Sequence, residues 1–166
     1  MKKILLLIIV LLIYRTANAQ PADSTLKHSP LKTLNDKQYN SLLAGEDLYD
    51  MALPAELNRY PLPDKVLKYK RQIDLSPIQV TKITALDKEL HRKKLEMGLT
   101  IIKNERTLDS LFKYDRLDNG ALLFFANRSG LYYGELRNAI LQACYATRHL
   151  ISDEQNKKLW ALHKTN

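Results

Sequence analysis

Two kinds of hydrophobic pattern divide this chain. Ile4 to Tyr14 is an unbroken apolar run behind the basic start Met1-Lys2-Lys3, whereas beyond residue 76 apolar residues return every three or four positions. The first run is much shorter than the roughly 20 residues a membrane-spanning helix needs. It is followed by Ala17-Asn18-Ala19, small residues at the positions a signal peptidase reads. Residues 1–19 are therefore expected to be a cleaved export signal, with Gln20 starting the mature chain. No Cys follows the run, so lipoprotein processing is not expected. After cleavage no membrane span is expected.

The periodic part predicts helices. Ser76 with Pro77 and Gln79 reads as a helix start: a hydroxyl N-cap, Pro in the first turn, and a Gln that closes a capping box. Ile83, Leu86, Leu90, Met97, Ile101, Leu108 and Leu111 then mark one face of a helix running to about Tyr114, on the order of 50 Å long. Gly98 could bend it, and Asn104 interrupts the stripe. Asp118-Asn119-Gly120 predicts a turn, with Asp118 available to cap a second long helix. That helix carries Leu122, Phe125, Ser129, Tyr132, Leu136, Ile140, Ala143, Thr147 and Leu150, the alternation of helices packed antiparallel. A last short helix begins at Ser152 and carries Leu159, Trp160 and Leu162. Upstream, Gln38 to Ala52 predicts a short helix and Asp64 to Ile73 another. Residues 20–37 read as a mobile arm, and Leu53 to Pro63, with Pro54, Pro61 and Pro63, as an extended connector. The expected fold is all-α: a long helical hairpin with short flanking helices, in a domain spanning 64–166 behind an arm and connector at 20–63.

Charge refines the picture. The whole chain carries +8, from 26 Lys/Arg and 18 Asp/Glu. Three of those cations, Lys2, Lys3 and Arg15, lie in the export segment. Residues 64–166 hold 19 Lys/Arg against 12 Asp/Glu, and residues 20–63 hold 4 against 6. The basic excess thus belongs to the hairpin. Lys82, Lys88, Arg92, Lys93, Lys94, Lys103 and Arg106 on the first long helix, with Arg128, Arg137 and Arg148 on the second, form a candidate protein-binding surface. Such charge would speed encounter with acidic partners while apolar patches hold them. No nucleic-acid-binding motif is present, and nucleic acid is not an expected partner.

Catalysis is not expected. Nucleophile-elbow and phosphate-loop signatures are absent, and no carboxylate pair has a catalytic setting. The histidines His28, His91, His149 and His163, with Met97 and Cys144, offer no pair spaced by three or four on one helix face, so no metal site or cofactor is expected. Cys144, with Ala143 and Ala146 as neighbours, is expected to be a packed thiol.

Two helix starts share a pattern: Leu75-Ser76-Pro77-Ile78-Gln79 and Ile151-Ser152-Asp153-Glu154-Gln155. Their placement around a hairpin in a small, basic, exported chain resembles the LTxxQ family of periplasmic proteins, which includes the Spy and CpxP chaperones and heavy-metal-sensor relatives. The similarity covers about Asp64 to Leu162, and Leu53-Pro54-Ala55-Glu56-Leu57-Asn58-Arg59-Tyr60-Pro61 is similar to the lead-in of a Spy/CpxP-like subgroup. Ser stands for Thr in both motifs and Ile151 for Leu in the second, changes that conserve capping. The resemblance implies a periplasmic, cradle-shaped antiparallel homodimer. Its concave face would hold unfolded or partner envelope proteins without ATP. It implies, as the alternative, a sensor or adaptor for envelope stress or metals. In either case Leu75, Ser76, Gln79, Ile151, Ser152 and Gln155 are assigned to helix capping.

Overall fold

The computed structural model describes residues 26–163; the export segment and the first residues of the expected arm lie outside them. Among the described residues the chain is all-α, with six helices and no strand. These are α1 (Asp36–Ala44), α2 (Leu53–Leu57), α3 (Pro63–Lys68), α4 (Pro77–Lys113), α5 (Asn119–Leu150) and α6 (Asp153–His163).

The long helices begin where the capping residues place them. Ser76 Oγ accepts from the Gln79 N–H, and Gln79 Oε1 accepts from the Ser76 N–H, a reciprocal box. Asp118 accepts from the Ala121 N–H at 2.7 Å and starts α5. Asn119 and Gly120 are thus in the first turn of α5, and the chain reversal falls on Tyr114 to Asp118, with Asp115 at φ 51°. At one end of the pair, Gln79 of α4 bonds the Leu150 carbonyl of α5. At the other, Asn104 bonds the Phe125 carbonyl and Ser129 Oγ. These contacts run in opposite senses along the two helices.

Three upstream expectations need correction. The short helix does not run to Ala52: α1 stops at Ala44 because Gly45 adopts a left-handed conformation (φ 66°) and donates back to the Ser41 carbonyl. The connector is not extended throughout, since Leu53–Leu57 is helical. Pro54 sits in its first turn, where the missing N–H costs nothing. The described part of the arm also packs onto the hairpin. Leu31 and Leu34 are buried in one core with Leu42, Leu90, Ile101, Ile102, Leu136, Ile140 and Cys144. Asp36 fastens that segment by accepting from the Ser29 N–H at 2.7 Å. A boundary at 63/64 would therefore cut through this core.

A second cluster gathers Val66, Tyr69, Ile73, Ile83, Ile151 and Leu159 at the closed base, where α3 and α6 meet the hairpin. Gly98 does not serve as a bend. A Cβ there would lie 2.1 Å from the Leu42 carbonyl oxygen, so its lack of side chain lets the α1 backbone lie directly on α4. The last buried residue of α4 is Asn104 and the first of α5 is Leu136. Just beyond, Tyr133 still meets Tyr49 of the α1–α2 connection, with ring centres 5.8 Å apart, and from there to the reversal neither helix has a buried residue.

Candidate functional site

The repeated motif is built into a clasp. Gln79 and Gln155 face each other as paired carboxamides: Gln79 Nε2 donates to Gln155 Oε1 at 2.9 Å, and Gln155 Nε2 donates to Gln79 Oε1 at 3.1 Å. Each remaining Nε2 hydrogen goes to a backbone carbonyl just ahead of the other motif, Leu150 for Gln79 and Asp74 for Gln155. Each Oε1 also accepts from its own cap N–H, on Ser76 or Ser152. An amide has two donors and two acceptor lone pairs, and here all are used. Gln79 thereby satisfies one of the carbonyls that the end of α5 leaves open. Capping is thus only half of what these glutamines do; they also join the two helix starts across 76 residues of chain.

The candidate basic residues do not share one face. Lys82 and Lys93 lie on one row of α4 with Leu86 and Glu89. Arg128 continues the matching row of α5, through Glu135, Ala139, Gln142 and Ala146. Lys88, Arg92, Lys103 and Arg106 project from the outer side of α4 and are exposed. Arg92 is bound by Glu89 (2.8 Å) and Glu96 (2.9 Å), and Lys93 reaches Glu96 at 4.0 Å. The Arg92 hydrogen bond holds the Glu89 carboxyl below its ordinary range, and Arg92 itself stays protonated at any accessible pH. Lys94 turns to the opposite side, beside Gly45 and near Asp64 and Asp87. Arg137 lies in a cleft with Tyr49, Leu53 and Tyr133, beneath the α1–α2 segment. Arg148 is tied to Asp153 and to the Ile151 carbonyl. As a single basic surface, the expected set is broken up by these contacts.

What the geometry does bring together is a groove. Between α4 and α5, on the side away from α1, Leu86, Leu90, Met97, Ala139, Ala143 and Ala146 form an apolar floor. Glu89, Lys93, Glu135, Asn138 and Gln142 form its rim, around a volume of about 390 Å³. The three alanines let the helices approach while leaving a trough. Toward the free end the exposed apolar residues multiply: Leu99, Phe112, Tyr114, Leu122, Leu123, Phe124 and Leu131 all stand open to solvent. Periodicity could mark these rows but not which row the upstream segment would cover. The spacing of Glu89, Arg92 and Glu96, three and four apart, was the one local signal that Arg92 is paired.

Cys144 is buried and free, and its burial, with Glu56, Asp64 and Asp47 adding to it, pushes the thiol up to about 11. Burial, reinforced by Tyr49, also raises Tyr133 above the ordinary tyrosine range. Among the described residues no group of three or more His, Cys, Asp or Glu is arranged to hold a metal ion. None of the described helices is long and apolar enough to cross a membrane. No family model, curated protein or solved structure matches the chain, so the family resemblance rests on the motif residues themselves.

Proposed function

We propose that this protein is an exported, ATP-independent protein-binding chaperone that holds non-native chains along the groove side of its hairpin. The observation that supports it is the uncovered α4–α5 face. Its apolar floor of Leu86, Met97, Ala139 and Ala146 carries a rim of mixed charge and continues into exposed Leu131. A surface of this kind suits reversible capture: apolar contact area without an enclosed pocket, and charges that steer encounter and keep the complex soluble. Lys82, Lys93 and Arg128 lie on this side and are the cations assigned to clients. In the family reading, two copies pair to form the cradle and the site of action is the periplasm.

The test is aggregation of a chemically unfolded substrate after dilution, followed by light scattering with the purified mature protein and no nucleotide. Protection at equimolar protein is expected, and Ala146→Glu, which places a charge on the groove floor, should weaken it while leaving the helical circular dichroism unchanged. Absence of protection by the unaltered protein would remove the chaperone reading. Light scattering coupled to size exclusion tests the dimer separately.

A further inference from the structure

The chain reversal leads into Asn119-Gly120, and the first turn of α5 leaves both halves of a self-reaction unengaged. An asparagine side chain is most open to attack by the next backbone nitrogen when the next residue is glycine. Glycine has no Cβ to crowd that nitrogen, and its backbone turns freely. Here the attacking group is unoccupied. Asp118 caps α5 through the Ala121 N–H at 2.7 Å, and the Asp118 carbonyl accepts from the Leu122 N–H at 2.9 Å. The Gly120 N–H, just ahead of these two, has no acceptor among the described residues; it is one of the donors that a helix start leaves open. The Asn119 carboxamide is exposed and likewise makes no hydrogen bond among them.

The other asparagines among the described residues lack this combination. Asn40, Asn58, Asn104 and Asn156 each donate through the side chain to a backbone carbonyl, and Asn35 caps α1. Asn127 and Asn138 are exposed, but they stand inside α5. There the following N–H belongs to the helix ladder, and the following residues, Arg128 and Ala139, carry a Cβ. Helical backbone holds the Asn119 side chain away from the Gly120 nitrogen too, so reaction waits on rotation within the first turn. That rotation breaks only the two bonds to Asp118, from Ala121 and Leu122. No residue from 105 to 135 is buried, so no packed side chain resists the opening.

We propose that Asn119 is a site of spontaneous deamidation, with water as the only co-reactant. The Gly120 nitrogen gives up its proton and bonds to the Asn119 side-chain carbonyl carbon. The carbon–nitrogen bond of the carboxamide breaks, and ammonia leaves with that proton. The cyclic imide then takes up one water, with no oxidation or reduction. Opening at the side-chain carbonyl leaves Asp at position 119 in an ordinary backbone. Opening at the main-chain carbonyl routes the backbone through the side chain, as isoaspartate. The two products differ in effect. A carboxylate at the first position of α5 meets the positive end of the helix and favours it. Isoaspartate adds a methylene to the main chain between Asp118 and Gly120, which draws the Asp118 cap out of register and unwinds the start of α5. The site stands apart from client capture, which uses the groove.

The full mature protein, held at neutral pH, should slowly gain the mass of one amide hydrolysis. Peptide mapping should place that gain at residue 119, as a mixture of aspartate and isoaspartate, while Asn127 and Asn138 stay intact. Gly120→Ala should slow it severalfold. The added Cβ would lie 3.3 Å from Asp118 Oδ1, the end of a side chain that can shift, so the circular dichroism should be unchanged. Asp118→Ala, which loosens the first turn, should hasten the reaction. If Asn119 stays intact as long as Asn127 and Asn138, the proposal is overturned. It is equally overturned if Gly120→Ala reacts as fast as the unaltered protein, or if Asp118→Ala reacts no faster.

Discussion

Replacing Gly98 by Ala would place a methyl group where α1 now rests. The new Cβ would sit 2.1 Å from the Leu42 carbonyl oxygen, 2.9 Å from its carbon and 3.3 Å from its Cα. All three are backbone atoms, so no rotamer change relieves the overlap; α1 must withdraw by about 1 Å, or let go. Overpacking of this kind costs about 1–3 kcal/mol. Letting go would expose Leu31, Leu34 and Leu42, each now only 5% exposed, at about 1.5–3 kcal/mol apiece, so strain is the cheaper response. Against either stands the helix preference of Ala over Gly, about 1 kcal/mol in the opposite direction. Gly130 and Gly134 calibrate that gain, because a Cβ at either would meet nothing within 4 Å. Urea or thermal unfolding should find Gly130→Ala and Gly134→Ala stabilised by about 0.5–1 kcal/mol. Gly98→Ala should show none of that gain and be destabilised by up to about 2 kcal/mol, a fall of up to several degrees in Tm for a chain this size. It should also be cleaved faster by protease in the 45–52 loop. If Gly98→Ala is as stabilising as the other two, the close approach of α1 to α4 is wrong.

Five further outcomes follow from the geometry. In a double-mutant cycle, Gln79→Ala and Gln155→Ala should each destabilise, and the pair together by less than their sum, with a coupling of about 1–2 kcal/mol; strict additivity would mean the carboxamides do not face each other. Ser76→Ala or Ser152→Ala should cost about 1 kcal/mol each through the caps alone. Thr147 Oγ1 is buried without a hydrogen-bond partner, so Thr147→Val should raise stability by about 1 kcal/mol, and a loss would reveal a bond the hydroxyl makes in solution. Asp36 is held below its ordinary value by the Ser29 N–H and by His28, so its contribution is present above the unfolded carboxyl pKa near 3.8 and fades as pH falls through the lower folded value. Amide exchange around residues 29–36 should accelerate there in the native protein and show no such step in Asp36→Asn. Raising Cys144 from 9.0 to about 11 reduces its thiolate about a hundredfold at neutral pH, and burial adds a steric barrier. A thiol reagent should label it only at the rate of unfolding, and rapid native labelling would contradict the packing.

The helix starts were legible because capping is local: Ser76, Asp118 and Ser152 each act within three residues of themselves. The buried stripe of α5 through Leu136, Ile140, Ala143 and Thr147 was legible for the same reason, since periodicity is a property of one helix. What escaped was set by distant contacts. Leu31 and Leu34 have no period to announce them, yet both join the main core. Asn104 looks like a flaw in its stripe and Ser129 like an ordinary member of the other, and the two form a hydrogen bond of 2.8 Å once the helices pair. Pro54 was read as a breaker because position within a turn, not identity, decides its effect. Of the candidate site, the residue types were visible and their grouping was not: Lys94 and Arg137 lie away from the groove because the upstream segment folds over that side.

The paired glutamines make the long hairpin a fork with one fixed end. Residues 79 and 155 are joined where α4 begins and α5 ends, and α3 and α6 pack around that joint. Past Asn104 on one prong and Tyr133, which meets Tyr49, on the other, neither prong has a buried residue. Local opening is therefore expected to cost least at the prong ends, which have no buried residue, and more along the core and the joint. A shape that is tied at one end and sparsely packed at the other would let the prong ends splay while the base stays folded. Gln79 and Gln155 would then set the working range of the prongs from the end they never touch.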